Sequence, residues 1–214
     1  MSVIGQIQLH LLTDHNRKFD DNYLKFLESC MINGITDIQL RNKKSSRFGI
    51  ATFAAELRSL TRKHNVRLII NDHPEIALEV EADGVHLGQN DLHPDIARDI
   101  LGPSKIIGLS IENIQQLESA NLLDSVTYVA AGAIFPTTSK PDVKTIWGID
   151  GLYRFCQHSR HPVIAIGGIS LENLTRVLRC NVNGVAIISA IHEAADPIRY
   201  ICEIQKQAEI FGQS

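Results

Sequence analysis

The sequence predicts an α/β protein that folds as a single (β/α)8 TIM barrel over residues 1–214, and three observations support this fold class. Eight short aliphatic runs alternate with eight segments of helical periodicity. The runs are continuously apolar, which is expected of strands whose sheet is covered on both faces. No G-x-G-x-x-G motif follows the first run, so an open dinucleotide-binding sheet is disfavoured.

The predicted elements follow one another in order along the chain. Strands are predicted at residues 7–12, 35–40, 66–70, 84–87, 105–109, 126–131, 162–166 and 184–188. Helices are predicted at residues 20–33, 48–64, 74–82, 92–101, 113–123, 149–158, 170–179 and 197–210. Gly34 marks the end of the first helix, Gly102 and Pro103 end the fourth, and Ser170 is the N-cap of the seventh. Residues 132–148 have no periodicity, which is typical of a functional loop or lid.

The composition disfavours several classes of protein. The net charge is −3 and the basic residues are scattered, so no concentrated basic face is predicted for nucleic acid or a membrane surface. The chain shows neither a signal peptide at its start nor an apolar run of about 18 residues, and we expect a cytoplasmic protein. The four cysteines lack C-x-x-C spacing and are expected to be reduced. The spacing of His86 and His93 fits no zinc pattern.

Acidic and amide side chains follow the third and fourth predicted strands. Asn71 and Asp72 end the third strand, and Gln89 and Asp91 follow the fourth. A parallel crossover would bring both ends to one edge of the sheet, so that Asp72 and Asp91 meet. Adjacent carboxylates repel unless a cation or a proton lies between them, which favours a Mg²⁺ site. The alternative is that both are loop residues, with Asp91 capping a helix that begins at Leu92; the residues alone leave both interpretations open.

In a barrel of parallel strands, the carboxyl ends of all strands face the same rim, where such enzymes hold their substrates. Polar residues follow almost every predicted strand: Gln39, Arg41 and Lys43; Asn71 and Asp72; Gln89 and Asp91; Ser110; Thr137, Thr138, Ser139 and Lys140; and Ser189. The burst of positive charge after the second strand would otherwise be a solvated loop. Carboxylates that hold Mg²⁺, together with cations and hydroxyls, suit a diphosphate ester.

A second anion site is predicted after strands seven and eight. Gly167 and Gly168 allow close approach of a ligand to the backbone, and Ile188 with Ser189 opens a short helix with outward amide groups. A phosphate monoester fits this place in a barrel, although a glycine pair also occurs as a simple tight turn. Two phosphorylated small-molecule substrates are therefore predicted.

Taken together, the motifs resemble those of the thiamine phosphate synthase family. The chain carries Q-L-R-N-K at residues 39–43, I-N-D at 70–72, A-D-G-V-H-L-G-Q-N-D at 82–91, G-L-S at 108–110, T-T-S-K at 137–140, A-I-G-G-I at 165–169 and V-A-I-I-S at 185–189. The motifs occur in the order of the family and extend from the second strand to the eighth, so the set is far more specific than any one member.

The resemblance implies a Mg²⁺-dependent condensation of a hydroxymethylpyrimidine diphosphate with a thiazole phosphate, which releases diphosphate and yields thiamine phosphate. The implied Mg²⁺ ligands are Asp72 and Asp91. The implied pyrimidine diphosphate site is Gln39, Leu40, Arg41, Lys43, Asn71, Ser110 and Lys140, of which Arg41, Ser110 and Lys140 are the expected catalytic residues. The implied thiazole phosphate site is Thr137, Thr138, Ser139, Gly168, Ile188 and Ser189. Whether the chain forms a homo-oligomer is left open.

Four positions depart from the pattern of the family: Asn42, His73, Ala133 and Ser139. His73 replaces a common Arg beside the diphosphate, so substrate binding is expected to be weaker or to depend on pH near neutrality. Two alternative functions are compatible with the fold. One is a thiazole tautomerase, which is a relative on the same barrel with degraded metal and diphosphate residues, and the other is a barrel that only binds thiamine precursors.

Overall fold

A computed structural model describes residues 7–14, 16–139 and 145–212. Eight parallel strands form a closed barrel in which each strand pairs with the next along the chain and β8 pairs with β1. The strands are β1 Gln8–Leu12, β2 Asp37–Leu40, β3 Arg67–Asn71, β4 Gly84–Leu87, β5 Ile106–Ile111, β6 Tyr128–Gly132, β7 Val163–Ile166 and β8 Gly184–Ile187. The predicted fold class is confirmed.

Helices surround the barrel between the strands. In the described residues they are α1 Asp21–Ile32, α2 Arg47–Lys63, α3 Pro74–Glu79, α4 Pro94–Leu101, α5 Ile114–Ala120, α6 Gly148–His158, α7 Leu171–Leu178, α8 Ser189–His192 and α9 Pro197–Gly212. Several prediction errors are informative. The fourth helix does not begin at Leu92: its N-cap is His93, and Pro94 occupies the first turn. Strand β5 extends two residues beyond its predicted end, so Ser110 lies within the strand.

The apolar residues form two cores of different composition. The larger core lies between the strands and the surrounding helices, and residues such as Leu68, Val85 and Phe155 are fully buried in it. The smaller core fills the inside of the barrel and consists of Leu12, Tyr128, Ala130, Ile164 and Ala186. Side chains alternate between these cores because successive residues of a strand point to opposite faces.

Local signals explain where individual helices begin and end. The Asp20 side chain accepts a hydrogen bond from the Tyr23 N–H and caps α1, and Gly34 after this helix has a φ of +109°. Ser170 is the N-cap of α7, as predicted, and its backbone N–H donates to the Asn173 side chain at 3.0 Å. The four cysteines carry no disulfide. Among the helices of the described residues, none has the length and apolar character needed to cross a membrane.

Candidate active site

A cavity of about 360 Å³ opens at the carboxyl ends of the strands, which is a volume typical of small-molecule sites. We call it the rim cavity. Most of the residues that the sequence predicted for the site line it: Gln39, Arg41, Lys43, Asn71, Asp72, Asp91, Ser110, Thr137, Ser139, Gly168, Ile188 and Ser189. Leu40 and Thr138 are not among the lining residues: the Leu40 side chain is buried in the outer core, and Thr138 is exposed to solvent. Lys140 lies outside the described residues.

Asp72 and Asp91 both line the rim cavity, and the Asp91 carboxyl lies close enough to Asp72 to act on its pKa. Asp72 follows β3 with a φ of +68°, a left-handed conformation that Asp tolerates better than most residues, and its N–H donates to the His86 carbonyl at 2.9 Å. Asp91 is oriented by the Gly88 N–H, which donates to its Oδ2 at 2.7 Å. Asp91 is therefore fixed by its own loop and is not the N-cap of α4.

The environment of Asp72 favours a bound cation. Burial and then the adjacent Asp91 carboxyl raise the pKa of Asp72 to about 6, whereas Lys43 and His73 lower it. No group of three or more His, Cys, Asp or Glu side chains in the described parts of the chain is arranged to hold a metal ion. Two carboxylates alone suit Mg²⁺, which commonly keeps water ligands and binds one or two carboxylates together with the phosphates of a substrate.

Positive side chains lie beside this carboxylate pair. The backbone of Arg41 is held by the fully buried Thr13, whose Oγ1 accepts from the Arg41 N–H at 2.8 Å and donates to the Arg41 carbonyl at 2.9 Å. The next turn is closed by Asn42, whose side chain accepts hydrogen bonds from the backbone of Lys44 and Ser45. Both Arg41 and Lys43 line the rim cavity. A departure from the family pattern, Asn42, therefore acts as a turn cap.

The floor of the rim cavity contains a hydrogen-bonded chain that the sequence analysis missed. The His86 ring lies 2.9 Å from Ser110 Oγ through Nε2 and 2.9 Å from the Tyr128 hydroxyl through Nδ1. The Tyr128 hydroxyl also bonds with the buried Gln39 side chain, and burial raises the pKa of Tyr128 far above its ordinary value. Gly108 provides the space, because a Cβ there would lie 2.2 Å from Tyr128 Cζ. The floor therefore consists of uncharged hydrogen-bond donors and acceptors.

His10 lies below this floor and also lines the cavity. It is 2% exposed, and its ring meets the Tyr128 ring edge to face at 5.7 Å between centroids. Burial lowers the pKa of His10 to about 4, although Asp37 opposes this effect. His10 Nε2 is 3.2 Å from the Gln8 side-chain oxygen, and Asp37 is neutralised by Arg67 at 2.6 Å. The buried Asp37 carboxylate below the apolar barrel interior is therefore not an unpaired charge.

The opposite side of the cavity is built from glycines and hydroxyl groups. Gly167 and Gly168 have φ values of +101° and +65°, and a Cβ on Gly168 would lie 2.6 Å from the Pro136 carbonyl oxygen. Both positions therefore require glycine. The Gly168 carbonyl accepts from the Asn173 side chain at 2.9 Å. Across from it, the Thr137 hydroxyl accepts from the Ser139 N–H at 3.2 Å, so these two hydroxyl residues lie in one turn.

The turn at Ile188 and Ser189 is supported from behind by a buried hydrogen-bonded chain. His192 Nδ1 donates to the Ile188 carbonyl at 2.8 Å, which leaves Nε2 to accept from the Tyr23 hydroxyl at 2.8 Å. That hydroxyl in turn accepts from the Asp14 N–H at 2.8 Å. Burial lowers the pKa of His192, which favours the neutral ring that this arrangement requires.

Comparison with known proteins gives the same answer as the motifs. The sequence model of a family described as "Thiamine monophosphate synthase" matches residues 9–191. The chain belongs to this family. The thiamine-phosphate synthase of Clostridium botulinum strain Kyoto / Type A2 is 40% identical over 190 residues, with 88% of this chain and 92% of the relative covered. That of Vibrio campbellii is 39% identical over 190 residues, with 89% and 92% covered. Membership of the thiamine monophosphate synthase family thus confirms the resemblance.

A solved structure of the family shows the same architecture. The thiamine phosphate pyrophosphorylase from Pyrococcus furiosus superposes with a TM-score of 0.86 at 31% identity, and the alignment covers 98% of this chain and 99% of that one.

The remaining departures from the family pattern have clear places here. His73 is the N-cap residue of α3 and lies 3.6 Å from Glu75, while Ala133 is buried at the end of β6.

Proposed function

We propose that this chain is a thiamine phosphate synthase, which joins a pyrimidine diphosphate to a thiazole phosphate with release of diphosphate. The observation that carries the proposal is that the neighbouring Asp72 and Asp91 carboxyls line one cavity with Arg41 and Lys43, at the rim of a closed barrel. Family membership supports the same activity. The chain is accordingly a transferase of a pyrimidinylmethyl group.

The diphosphate is proposed to bind on the side of the rim cavity that carries both the Asp72–Asp91 pair and the positive side chains. Asp72 and Asp91 would hold Mg²⁺, which when bound supplies positive charge to the diphosphate oxygens. Arg41 and Lys43 bring permanent positive charge to the same side, and Asn71 offers an amide at the end of β3. Charge that develops on the leaving diphosphate is stabilised by these preorganised groups. His73, which stands where an Arg is common in the family, is the N-cap residue of α3 directly after Asp72.

The pyrimidine ring is proposed to lie on the neutral floor formed by Gln39, Ser110 and the His86–Tyr128 pair. Departure of diphosphate leaves positive charge on the pyrimidine methylene, which the aminopyrimidine ring delocalises. A fixed floor of neutral hydrogen-bonding groups orients that ring without repelling its charge. The thiazole nitrogen then attacks the methylene carbon with its own lone pair, so the step needs no general base.

The thiazole phosphate is proposed to bind on the opposite side of the cavity. Gly168 permits close approach to the backbone, and the hydroxyl groups of Thr137, Ser139 and Ser189 offer hydrogen-bond donors. The distribution of charge supports this assignment of the two substrates. The carboxylate pair that would hold Mg²⁺ lies beside Arg41 and Lys43, whereas the described residues assigned to the opposite side offer glycines and hydroxyl groups. Thr138 is exposed and Leu40 is buried in the outer core, so neither side chain is given a role in binding.

The test is to mix both precursors with Mg²⁺ and to measure thiamine phosphate and diphosphate together. Equal amounts of both products are expected. Binding of the precursors without diphosphate release would instead identify a binding barrel. Isomerisation of a carboxylated thiazole phosphate in the absence of the pyrimidine diphosphate would identify a tautomerase.

A Lys140→Ala variant tests the role implied for the residue that lies outside the described structure. Turnover should fall more than the affinity for thiazole phosphate, because Lys140 is assigned to the pyrimidine diphosphate. An effect confined to thiazole phosphate affinity would move Lys140 to the other half of the site.

A further inference from the structure

An open groove between α6 and α7 collects positive charge outside the rim cavity. It is lined by Ile149, Asp150, Tyr153 and Arg154 of α6 and by Arg176, Arg179 and Cys180 of α7 and its end. We call it the arginine groove. None of these residues lines the rim cavity. Three guanidinium groups and one carboxylate leave the groove with two net positive charges, in a chain whose net charge is −3.

The helical spacing of these residues explains why their side chains converge. Tyr153 and Arg154 follow Asp150 by three and four residues, so the three side chains lie on one face of α6. Arg176 and Arg179 are separated by three residues near the end of α7. Cys180 Sγ contacts the Ile149 carbonyl at 3.6 Å and joins the two elements at the base of the groove.

The guanidinium groups of the arginine groove have no hydrogen bond or ion pair within residues 7–14, 16–139 and 145–212. This is unusual for the molecule. Among the described residues, and with the exception of Arg41 at the rim, the guanidinium group of every other arginine has a hydrogen-bond or ion-pair partner: Arg17, Arg47, Arg58, Arg62, Arg67, Arg98, Arg160 and Arg199. Arg41 is the arginine assigned to the diphosphate. In the described parts of the chain, the arginines without a partner are therefore Arg41, which is assigned to the diphosphate, and the three arginines of the groove.

The chemistry of the groove indicates which kind of anion it would bind. Guanidinium groups bind phosphate oxygens in pairs of parallel hydrogen bonds, and several of them around one groove suit a ligand with more than one phosphate. Tyr153 is 53% exposed, and its ring offers a flat face to an aromatic ligand. Among the described residues that line the groove, Asp150 is the one acidic side chain, and it can accept hydrogen bonds from an amino or hydroxyl group.

We propose that the arginine groove is a second ligand site that binds nucleotides carrying a di- or triphosphate. The phosphates contact Arg154, Arg176 and Arg179, and the base stacks on Tyr153. This inference does not depend on the chemistry assigned to the rim cavity, because the two sites share no lining residue in the described parts of the chain.

The test measures binding of ATP and of inorganic triphosphate by calorimetry, without Mg²⁺ so that the diphosphate side of the rim cavity is not filled through the metal. A double variant, Arg176→Gln with Arg179→Gln, is compared with Arg160→Gln with Arg199→Gln, which removes the same charge from exposed arginines outside the groove. We expect the first pair to weaken ATP binding by about tenfold or more and the second by less than about twofold. A single Arg154→Gln variant should weaken it in the same direction.

Three further outcomes decide the proposal. Tyr153→Ala should weaken ATP binding and leave triphosphate binding unchanged; an equal effect on both, or on neither, overturns the role of the aromatic ring. Equal ATP affinity of the groove variant and the control variant would place the nucleotide elsewhere and overturn the site. Absence of ATP binding to the wild-type chain at millimolar concentration would overturn it as well.

Discussion

Replacing Asp91 with Asn tests the carboxylate pair most selectively. The substitution removes one negative charge but keeps an oxygen that can accept the Gly88 N–H, now donated to Asp91 at 2.7 Å. The loop should therefore keep its shape. What changes is the charge offered to Mg²⁺ and the pKa of Asp72, which falls because the Asp91 carboxyl is one of the groups that raise it.

The size of the effect follows from the exposure of the pair. Two unit charges about 4 Å apart interact by ~1 kcal/mol in water and ~4 kcal/mol near a protein surface, and a divalent ion doubles these values. Asp91 is exposed and Asp72 is partly buried, so the lower part of this range applies. A loss of about 2–4 kcal/mol corresponds to a Mg²⁺ affinity weaker by roughly 30- to 700-fold.

The assay is diphosphate release at saturating substrates while Mg²⁺ is varied. Asp91→Asn should need far more Mg²⁺ for half-maximal turnover and should unfold at the wild-type urea concentration. Asp95→Asn is the matched control, because it removes an exposed carboxylate of α4 that does not line the rim cavity. An Asp91→Asn variant with the Mg²⁺ requirement of the wild type would refute the metal assignment.

Three further predictions concern the groups around the site. Tyr23→Phe removes the hydroxyl that supports His192, and we expect the KM for thiazole phosphate to rise about 2- to 10-fold with little change in kcat. Gly108→Ala forces a Cβ against Tyr128 and should lower the free energy of unfolding by about 1–3 kcal/mol in urea. Relative to His10→Gln, the wild-type chain should lose about 3 kcal/mol of stability as pH falls from 6.5 to about 4, since His10 stays neutral when folded and takes up a proton when unfolded.

Controls make these outcomes decisive. A fall in kcat at constant KM would contradict the positioning role of Tyr23. Gly49→Ala is the control for Gly108, because its nearest neighbour would be 3.5 Å away and helix propensity favours Ala. The raised pKa of Asp72 acts on stability in the opposite direction over the same pH range, and the comparison with His10→Gln cancels it. Parallel pH dependence of the two proteins would refute the account of His10.

The sequence was sufficient to predict the barrel and the position of Asp72 and Asp91 at the same rim. Continuous aliphatic runs are typical of strands covered on both faces, and closed parallel pairing then places Asp72 and Asp91 at the same rim. The ends of elements were harder, because capping decides them. Pro94 shifted the start of α4, and β5 continued through Ser110 because its pairing with β6 continues to Ile111.

The floor of the rim cavity was not predictable from the pattern of the chain. In a continuously apolar strand such as β6, the sequence does not show whether Tyr128 or Val129 points into the barrel, because no polar alternation marks the faces. The role of His86 could not be read from its neighbours along the chain, because its partners Ser110 and Tyr128 come from other strands. A glycine at position 108, opposite two large rings, was the available signal.

The most direct test of the central claim is Mg²⁺-dependent release of diphosphate from the pyrimidine diphosphate in the presence of thiazole phosphate, measured together with thiamine phosphate. We expect equal amounts of both products with the wild-type chain and almost none when Mg²⁺ is removed by a chelator. Product formation that is unaffected by removal of Mg²⁺, or precursor binding without any diphosphate release, would contradict it.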